Sequence, residues 1–162
     1  MKFDKEVLQD PWAAAATWFG AGLSPKAPGT VGSIAAIPFA VLIQWALGGL
    51  AFQLLAIGLF FGGIIVCDRY MRKYSREGDP QEIVIDEVAA MWLLLSFFYR
   101  DAATYIFALI MFRAFDIYKP WPVNIADRDV KGGFGVMLDD LLAALYAAAT
   151  TLLFVIFIRS NV

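Results

Sequence analysis

The most constraining feature of the sequence is a long stretch without charge, because residues 31 to 67 contain no Asp, Glu, Lys or Arg. A helix needs about 20 predominantly apolar residues to cross the hydrocarbon core of a bilayer. The stretch therefore has room for two membrane-spanning helices, separated at Gly48-Gly49. A composition of 60% hydrophobic and 17% charged residues also exceeds the apolar content of a soluble domain. The sequence predicts an integral membrane protein.

Three further segments extend this bundle. Residues 141 to 158 form another uncharged run. Residues 80 to 99 and 102 to 119 are weaker candidates, because their uncharged parts are too short to cross the core unless their charged turns are included. Residues 11 to 23 are apolar but short, which predicts an N-terminal interfacial or re-entrant helix. We therefore expect an all-α fold in one domain, residues 1 to 162, with about five transmembrane helices.

The basic residues predict the orientation of the chain in the membrane. If the N-terminus and residues 24 to 30, 68 to 82 and 113 to 131 lie on one side, eleven of the 13 Lys and Arg residues are on that side. Arg100 and Arg159 remain on the other. Lys and Arg are enriched in cytoplasmic loops, so the basic side is predicted to face the cytoplasm. Five crossings then place the C-terminus outside.

Acidic residues cluster at the cytoplasmic ends of the predicted helices. Charges near a bilayer are costly unless they are paired, bound to metal or close to water, so such clusters predict a functional site. The chain has no histidine and a single cysteine, Cys67, which leaves oxygen as the metal ligand and favours Mg²⁺ over Zn²⁺. The predicted metal ligands are Asp86, Glu87, Asp116, Asp139 and Asp140.

Basic and hydroxyl residues near these acids predict phosphate binding. Arg113, Asp116 and Lys119 recur every three residues and share one helical face, so the two cations can hold phosphate oxygens beside Asp116. Residues 24 to 33 lead into the first span, where N–H groups at a helix N-terminus can cradle a phosphate. The predicted phosphate-binding residues are Lys26, Thr30, Ser33, Arg113 and Lys119.

Each cluster also has a purely structural interpretation. Asp79, Pro80 and Glu82 resemble a helix N-cap, first helical residue and capping box, so these two acids are expected to be structural. Asp86 and Glu87, two turns later, would then lie beyond any capping role, although an exposed cytosolic turn is an alternative. Intrahelical pairing could explain Arg113 to Lys119. One of the aspartates at the predicted start of the last helix could be its N-cap.

Two familiar phosphatase chemistries do not fit the sequence. A histidine nucleophile is excluded because the chain has no histidine. A Cys-x5-Arg loop is absent, since Arg72 follows Cys67 five residues later instead of six. The remaining expectation is carboxylate and metal chemistry.

Four ordered segments resemble the bacterial phosphatidylglycerophosphatase A family. They are residues 22–33 (GLSPKAPGTVGS), 83–87 (IVIDE), 112–122 (FRAFDIYKPWP) and 132–140 (GGFGVMLDD). The resemblance implies an all-helical, Mg²⁺-dependent enzyme of the bacterial cytoplasmic (inner) membrane, which hydrolyses phosphatidylglycerophosphate to phosphatidylglycerol and phosphate. It implies that Asp86, Glu87, Asp116, Asp139 and Asp140 form the catalytic acidic centre. The lipid substrate is the one partner expected, and nothing in the sequence indicates nucleic acid or an oligomeric state.

Two questions stay open at the level of sequence. The nucleophile is either water or an aspartate oriented by the metal. The alternative function is a small ion-coupled membrane transporter, which would require acids near the midplane and an inverted repeat. A third interpretation is a non-catalytic lipid-binding subunit.

Overall fold

The computed structural model describes residues 9–76 and 80–160, and this part of the chain is helical without a β-strand. A short 3-10 helix, Ala21–Leu23, lies between the first two α-helices. The α-helices are α1 (Pro11–Ala16), α2 (Pro28–Leu47), α3 (Gly49–Lys73), α4 (Ile85–Leu95), α5 (Ala102–Tyr118), α6 (Val123–Asp129) and α7 (Gly132–Ser160). The all-α prediction is confirmed.

Three helices are long and apolar enough to cross a membrane: α2, α3 and α7. The division of the uncharged stretch is as predicted, because α2 ends at Leu47 and α3 begins at Gly49. Gly48 between them has φ +84°, a conformation that glycine adopts at little cost. With 11 and 17 residues, α4 and α5 fall below the length of these three.

The short helix α4 occupies the centre of the bundle, packed against α2, α3 and α7. Its residues Val88, Ala89, Met91 and Leu95 are fully buried. This position explains why α4 is apolar on all sides, since a helix without a polar face is one that is surrounded. Elsewhere close helix contact depends on glycine: a Cβ on Gly133 of α7 would lie 2.2 Å from the carbonyl oxygen of Ile64 on α3.

The start of α4 differs from the prediction. Pro80 does not begin a helix, and residues 80 to 84 form a turn and an irregular segment before α4. The carboxylate of Glu82 does not close a capping box, because it pairs with Arg76 at 2.8 Å and accepts a hydrogen bond from the Tyr70 hydroxyl. Asp79 lies outside the described residues. Asp86 and Glu87 therefore lie in the first turn of α4, not two turns into it.

The start of α7 also differs from the prediction, because this helix begins earlier in the sequence than expected. The last helix was predicted to start at Asp139 and Asp140, but it begins at Gly132, so the glycine-rich segment from Gly132 to Gly135 forms its first turn. Gly133 N–H donates to the Asp68 carboxylate of α3 at 2.6 Å, which satisfies one of the amides that a helix leaves unpaired at its N-terminus. Asp139 and Asp140 are consequently two turns inside α7, so neither is its N-cap.

The N-terminal segment is two short helices instead of one. Between them Trp18 and Phe19 have positive φ angles of 45° and 55°. The segment is attached to the end of α3 through Asp10, which pairs with Lys73 at 3.0 Å and accepts from the Tyr74 hydroxyl at 3.1 Å. Burial disfavours the charged form of Asp10, but these two partners outweigh burial and hold its pKa below the ordinary value. Whether the segment lies at the interface or re-enters the membrane stays a prediction.

Candidate active site

The packing of the helices brings the charged clusters together at one end of the bundle. A cavity of about 410 Å³ opens there between the N-terminal ends of α2 and α4, the C-terminal end of α5 and the first turns of α7. Its lining residues are Ala27, Pro28, Gly29, Gln81, Ile83, Asp86, Glu87, Arg113, Asp116, Ile117, Lys119 and Asp140.

Three carboxylates form the acidic centre of this cavity. Asp86, Glu87 and Asp140 each offer an oxygen within 4.8 Å of the other two. The Oε2 atom of Glu87 and the Oδ2 atom of Asp140 are buried and have no hydrogen-bond partner. Buried carboxylates that face one another without partners are unfavourable unless a cation lies among them. Their oxygen-only donor set fits a hard divalent cation such as Mg²⁺.

Arg113 is the cation closest to this trio. Its Nη1 atom lies 2.7 Å from Asp116 Oδ2, one turn further along α5, and 3.6 Å from Glu87 Oε1 on α4. It also donates to the Ser33 hydroxyl of α2 at 3.4 Å, and that hydroxyl donates to the Gly29 carbonyl at 2.8 Å. One guanidinium thus links three helices and is held in a fixed orientation at the cavity wall.

Lys119 is oriented differently from the stripe that its spacing predicted. Helix α5 ends at Tyr118, and Lys119 itself adopts a left-handed conformation with φ 45°. Its ammonium group pairs with Asp139 of α7 at 2.8 Å and with Asp127 of α6. Asp139 therefore pairs with Lys119, whereas its neighbour Asp140 faces the other two carboxylates of the trio, Asp86 and Glu87.

The loop before α2 contributes its backbone to the cavity more than its side chains. Ala27, Pro28 and Gly29 line the cavity, whereas Lys26 and Thr30 are not among its lining residues. Lys26 is exposed, and Ser33 is buried against Arg113. The N–H groups of Gly29 and Thr30 are in the first turn of α2, where no intrahelical acceptor is available to them. Phosphate binding by the Lys26 and Thr30 side chains stays a prediction.

Gly29 is required where it stands because two helices approach closely there. A Cβ at this position would lie 2.0 Å from Glu87 Oε1 and 3.1 Å from the Arg113 guanidinium nitrogens. Any side chain would displace both charged groups. Gly29, in the Pro-Gly-Thr sequence at the start of α2, is therefore needed for the close approach of Glu87 and Arg113. The predicted phosphate binding by residues 24 to 33 did not reveal this role.

Asp127 is the site residue that the sequence reasoning missed. It belongs to an Asp-x-Asp spacing, Asp127-Arg-Asp129, but this spacing lies on the short helix α6. Asp129 is paired with Arg128 at 2.7 Å, and Asp127 holds Lys119. The available signal was the presence of two further acids, Asp127 and Asp129, within ten residues of Lys119, which indicated a partner for Lys119 without specifying which acid it is.

Comparisons with known proteins agree with the motifs. Residues 14–155 match the family described as phosphatidylglycerophosphatase A. The chain is 37% identical over 145 residues to a phosphatidylglycerophosphatase A of Escherichia coli strain K12, covering 87% of this chain and 81% of the relative. It is 35% identical over 144 residues to the protein of that name in Haemophilus influenzae, covering 88% of each.

A third relative carries a different description. A putative phosphatidylinositol-3-phosphatase of Bacteroides thetaiotaomicron is 35% identical over 145 residues, covering 81% of this chain and 85% of the relative. No solved structure matches the chain. The family match spans most of the sequence and includes all four motif segments, so the chain belongs to the phosphatidylglycerophosphatase A family.

Proposed function

We propose that the protein hydrolyses the terminal phosphomonoester of phosphatidylglycerophosphate, releasing phosphate and leaving phosphatidylglycerol in the membrane. Membership of the family supports the reaction and the lipid. The observation that carries the proposal is the trio of Asp86, Glu87 and Asp140, with two unpartnered buried oxygens, beside an oriented arginine. Such an arrangement suits a phosphate dianion only if a cation offsets the acids.

In this proposal Asp86, Glu87 and Asp140 hold Mg²⁺. When bound, the ion supplies positive charge that offsets the phosphate and polarises its oxygens for attack. Asp116 keeps the Arg113 guanidinium directed into the cavity, and Asp139 and Asp127 fix Lys119 at the cavity edge. Direct metal ligation by Asp116 and Asp139 also stays a prediction; Asp116 pairs with Arg113 at 2.7 Å and Asp139 with Lys119 at 2.8 Å.

The phosphate is bound by Arg113 and by the N-terminus of α2. The guanidinium presents several N–H donors in a rigid fork that matches phosphate oxygens. The free amide of Gly29, at the positive end of a 20-residue helix, adds a donor at the cavity wall. Either a water molecule or a carboxylate of the cluster attacks the phosphorus opposite the departing lipid alcohol.

The cavity faces the cytoplasm in the inner membrane, and the chain crosses five times. Contacts at the far end of the bundle support five crossings, because Gln44 of α2 bonds to the Leu95 carbonyl of α4 and to Tyr105 of α5. The ends of α4 and α5 thus reach the same depth as the far end of α2. Arg100 and Arg159 lie at that end, and the remaining described basic residues lie toward the cavity.

Cysteine labelling tests this orientation. Asp129→Cys, at an exposed position of α6, should react with a membrane-impermeant maleimide in inside-out vesicles but not in intact cells. Tyr99→Cys, 78% exposed at the opposite end, is the matched control and should show the reverse pattern. Native Cys67 is buried and should give little background. Labelling of Asp129→Cys from outside the cell would contradict the cytoplasmic site.

Metal removal tests the chemistry. Phosphate release from phosphatidylglycerophosphate by the detergent-solubilised protein should fall to the level of a protein-free sample in EDTA, because the trio then repels the substrate phosphate. Excess Mg²⁺ should restore it. Undiminished turnover in chelator would rule out the metal-dependent mechanism.

The same assay separates the alternatives. Phosphatidylinositol 3-phosphate, the substrate class in the description of the Bacteroides relative, should be a poorer substrate than phosphatidylglycerophosphate. A reversed preference would reassign the head group while leaving the phosphatase intact. An ion-coupled transporter or a non-catalytic lipid-binding subunit would release no phosphate from either lipid.

A further inference from the structure

A second concavity lies on the membrane-embedded side of the molecule, between α2 and α5. This α2–α5 groove has a volume of about 350 Å³ and is lined by Ile37 and Val41 of α2, by Ala102, Tyr105 and Ile106 of α5, and by Arg100 and Asp101 at its far end. Its walls along the two helices are almost wholly apolar.

The groove and the catalytic cavity share the same two helices. On α2, Gly29 lines the cavity, and Ile37 and Val41, about two and three turns further along the helix, line the groove. Polar contacts join α2 and α5 on both sides of the bundle: Ser33 with Arg113 near the cavity, and Gln44 with Tyr105, which itself lines the groove.

An exposed apolar stripe on α5 connects the two concavities. Ile106 lines the groove, Ile117 lines the cavity, and Ile110 lies between them on the same face as Arg113. These isoleucines are 58%, 72% and 54% exposed, so the bundle leaves more than half of each residue uncovered. The stripe provides a continuous apolar path from the phosphate site into the membrane.

The separation of the two concavities matches the dimensions of a lipid. At a rise of 1.5 Å per residue, Ile106 lies about 10 Å from Arg113 along α5, and Ile37 lies about 12 Å from Gly29 along α2. The hydrocarbon core is about 30 Å thick, so the groove starts well within it when the cavity is near one interface. A lipid whose phosphate is at Arg113 would extend its chains past this depth.

We propose that the α2–α5 groove holds one acyl chain of the lipid substrate and so fixes the position of its head group in the cavity. This inference rests on the proposed function, because it assumes that a diacyl lipid phosphate is what Arg113 binds. Lipid tails are as apolar as the groove, so its contribution is orientation and not hydrophobic affinity. Orientation matters because a displacement of about 1 Å at the reacting phosphate can cost about a hundredfold in rate.

Filling the groove tests its role in catalysis. Ile106→Trp should lower kcat/KM for dipalmitoyl phosphatidylglycerophosphate by about tenfold, because the chain is displaced and the phosphate misplaced with it. A dihexanoyl substrate, whose chains are too short to reach the groove, should be hydrolysed at the wild-type rate. Ile65→Trp is the matched control, since Ile65 is 56% exposed on α3, away from the groove. Equal effects on both chain lengths, or no effect on either, would overturn the proposal.

Photolabelling tests occupancy without using activity. Phosphatidylglycerophosphate with a diazirine in its distal acyl chain should label residues 37 to 41 and 102 to 106 in proteoliposomes more strongly than diazirine phosphatidylcholine does. Equal labelling by the two lipids would show that bulk lipid fills the groove and would overturn the proposal. Failure of the wild-type protein to hydrolyse either chain length would instead overturn the proposed function, independently of the labelling result.

Discussion

Asp140→Asn is expected to abolish turnover while leaving the metal-free protein as stable as the wild type or more so. The Asp140 side chain is buried beside Asp86 and Glu87, and its Oδ2 atom has no partner. Loss of one of three metal-holding carboxylates should reduce kcat on the order of a thousandfold, as removal of a principal electrostatic group does. Without metal, the neutral amide relieves repulsion among buried acids and so cannot weaken the fold through charge.

In Asp140→Asn, turnover should fall while the stability of the metal-free protein stays the same or rises. This combination distinguishes a functional acid from a structural one. Phosphate release and thermal unfolding in EDTA should be measured on the same preparation. Asp129→Asn is the control, because Asp129 is exposed and paired with Arg128, and it should change neither quantity appreciably. An Asp140→Asn protein that unfolds more easily in EDTA but retains activity would assign the residue to the fold.

Hydropathy alone predicted the long helices but not the helix ends at the site. The break at Gly48 follows from the length of the uncharged stretch, and the end of α5 follows from Pro120 and Pro122. The start of α4 was misjudged because tertiary partners override local capping: Arg76 and Tyr70 bind Glu82, and Val84 N–H donates to the Ala16 carbonyl. The start of α7 was misjudged because Asp68, far away in sequence, satisfies one of its first amides, that of Gly133.

Which acids belong to the site was easier to predict than which charged partner each acid has. The placement of the charged clusters on one predicted side of the bundle sufficed to predict that Asp86, Glu87 and Asp140 are close together. The division between Asp139 and Asp140 depends on the rotation of α7 and on where Lys119 is directed after α5 ends. Spacing along one helix does not contain that information, so the assignment of Asp139 to Lys119 required the structure.

Arg113→Lys is expected to lower kcat/KM for phosphatidylglycerophosphate by about a hundredfold although the charge is retained. The Nη1 atom alone contacts Asp116, Glu87 and Ser33, and a guanidinium has further N–H donors in the same plane for a phosphate oxygen. An ammonium group has a single nitrogen, so it cannot keep the Asp116 pair and bind phosphate in the same planar geometry. Charge-assisted hydrogen bonds contribute about 1.5 to 3 kcal/mol each, so the loss of one or two of them in the transition state accounts for this factor.

The control for this change is Arg128→Lys, an equally conservative replacement at a largely exposed arginine whose partner, Asp129, is also exposed. It should leave kcat/KM unchanged, because exposed ion pairs contribute little. Steady-state kinetics on mixed micelles of the substrate measure both variants. If Arg113→Lys matched the wild type, Arg113 would be only the ion-pair partner of Asp116, and phosphate binding would fall to the amides of α2 and to Lys119.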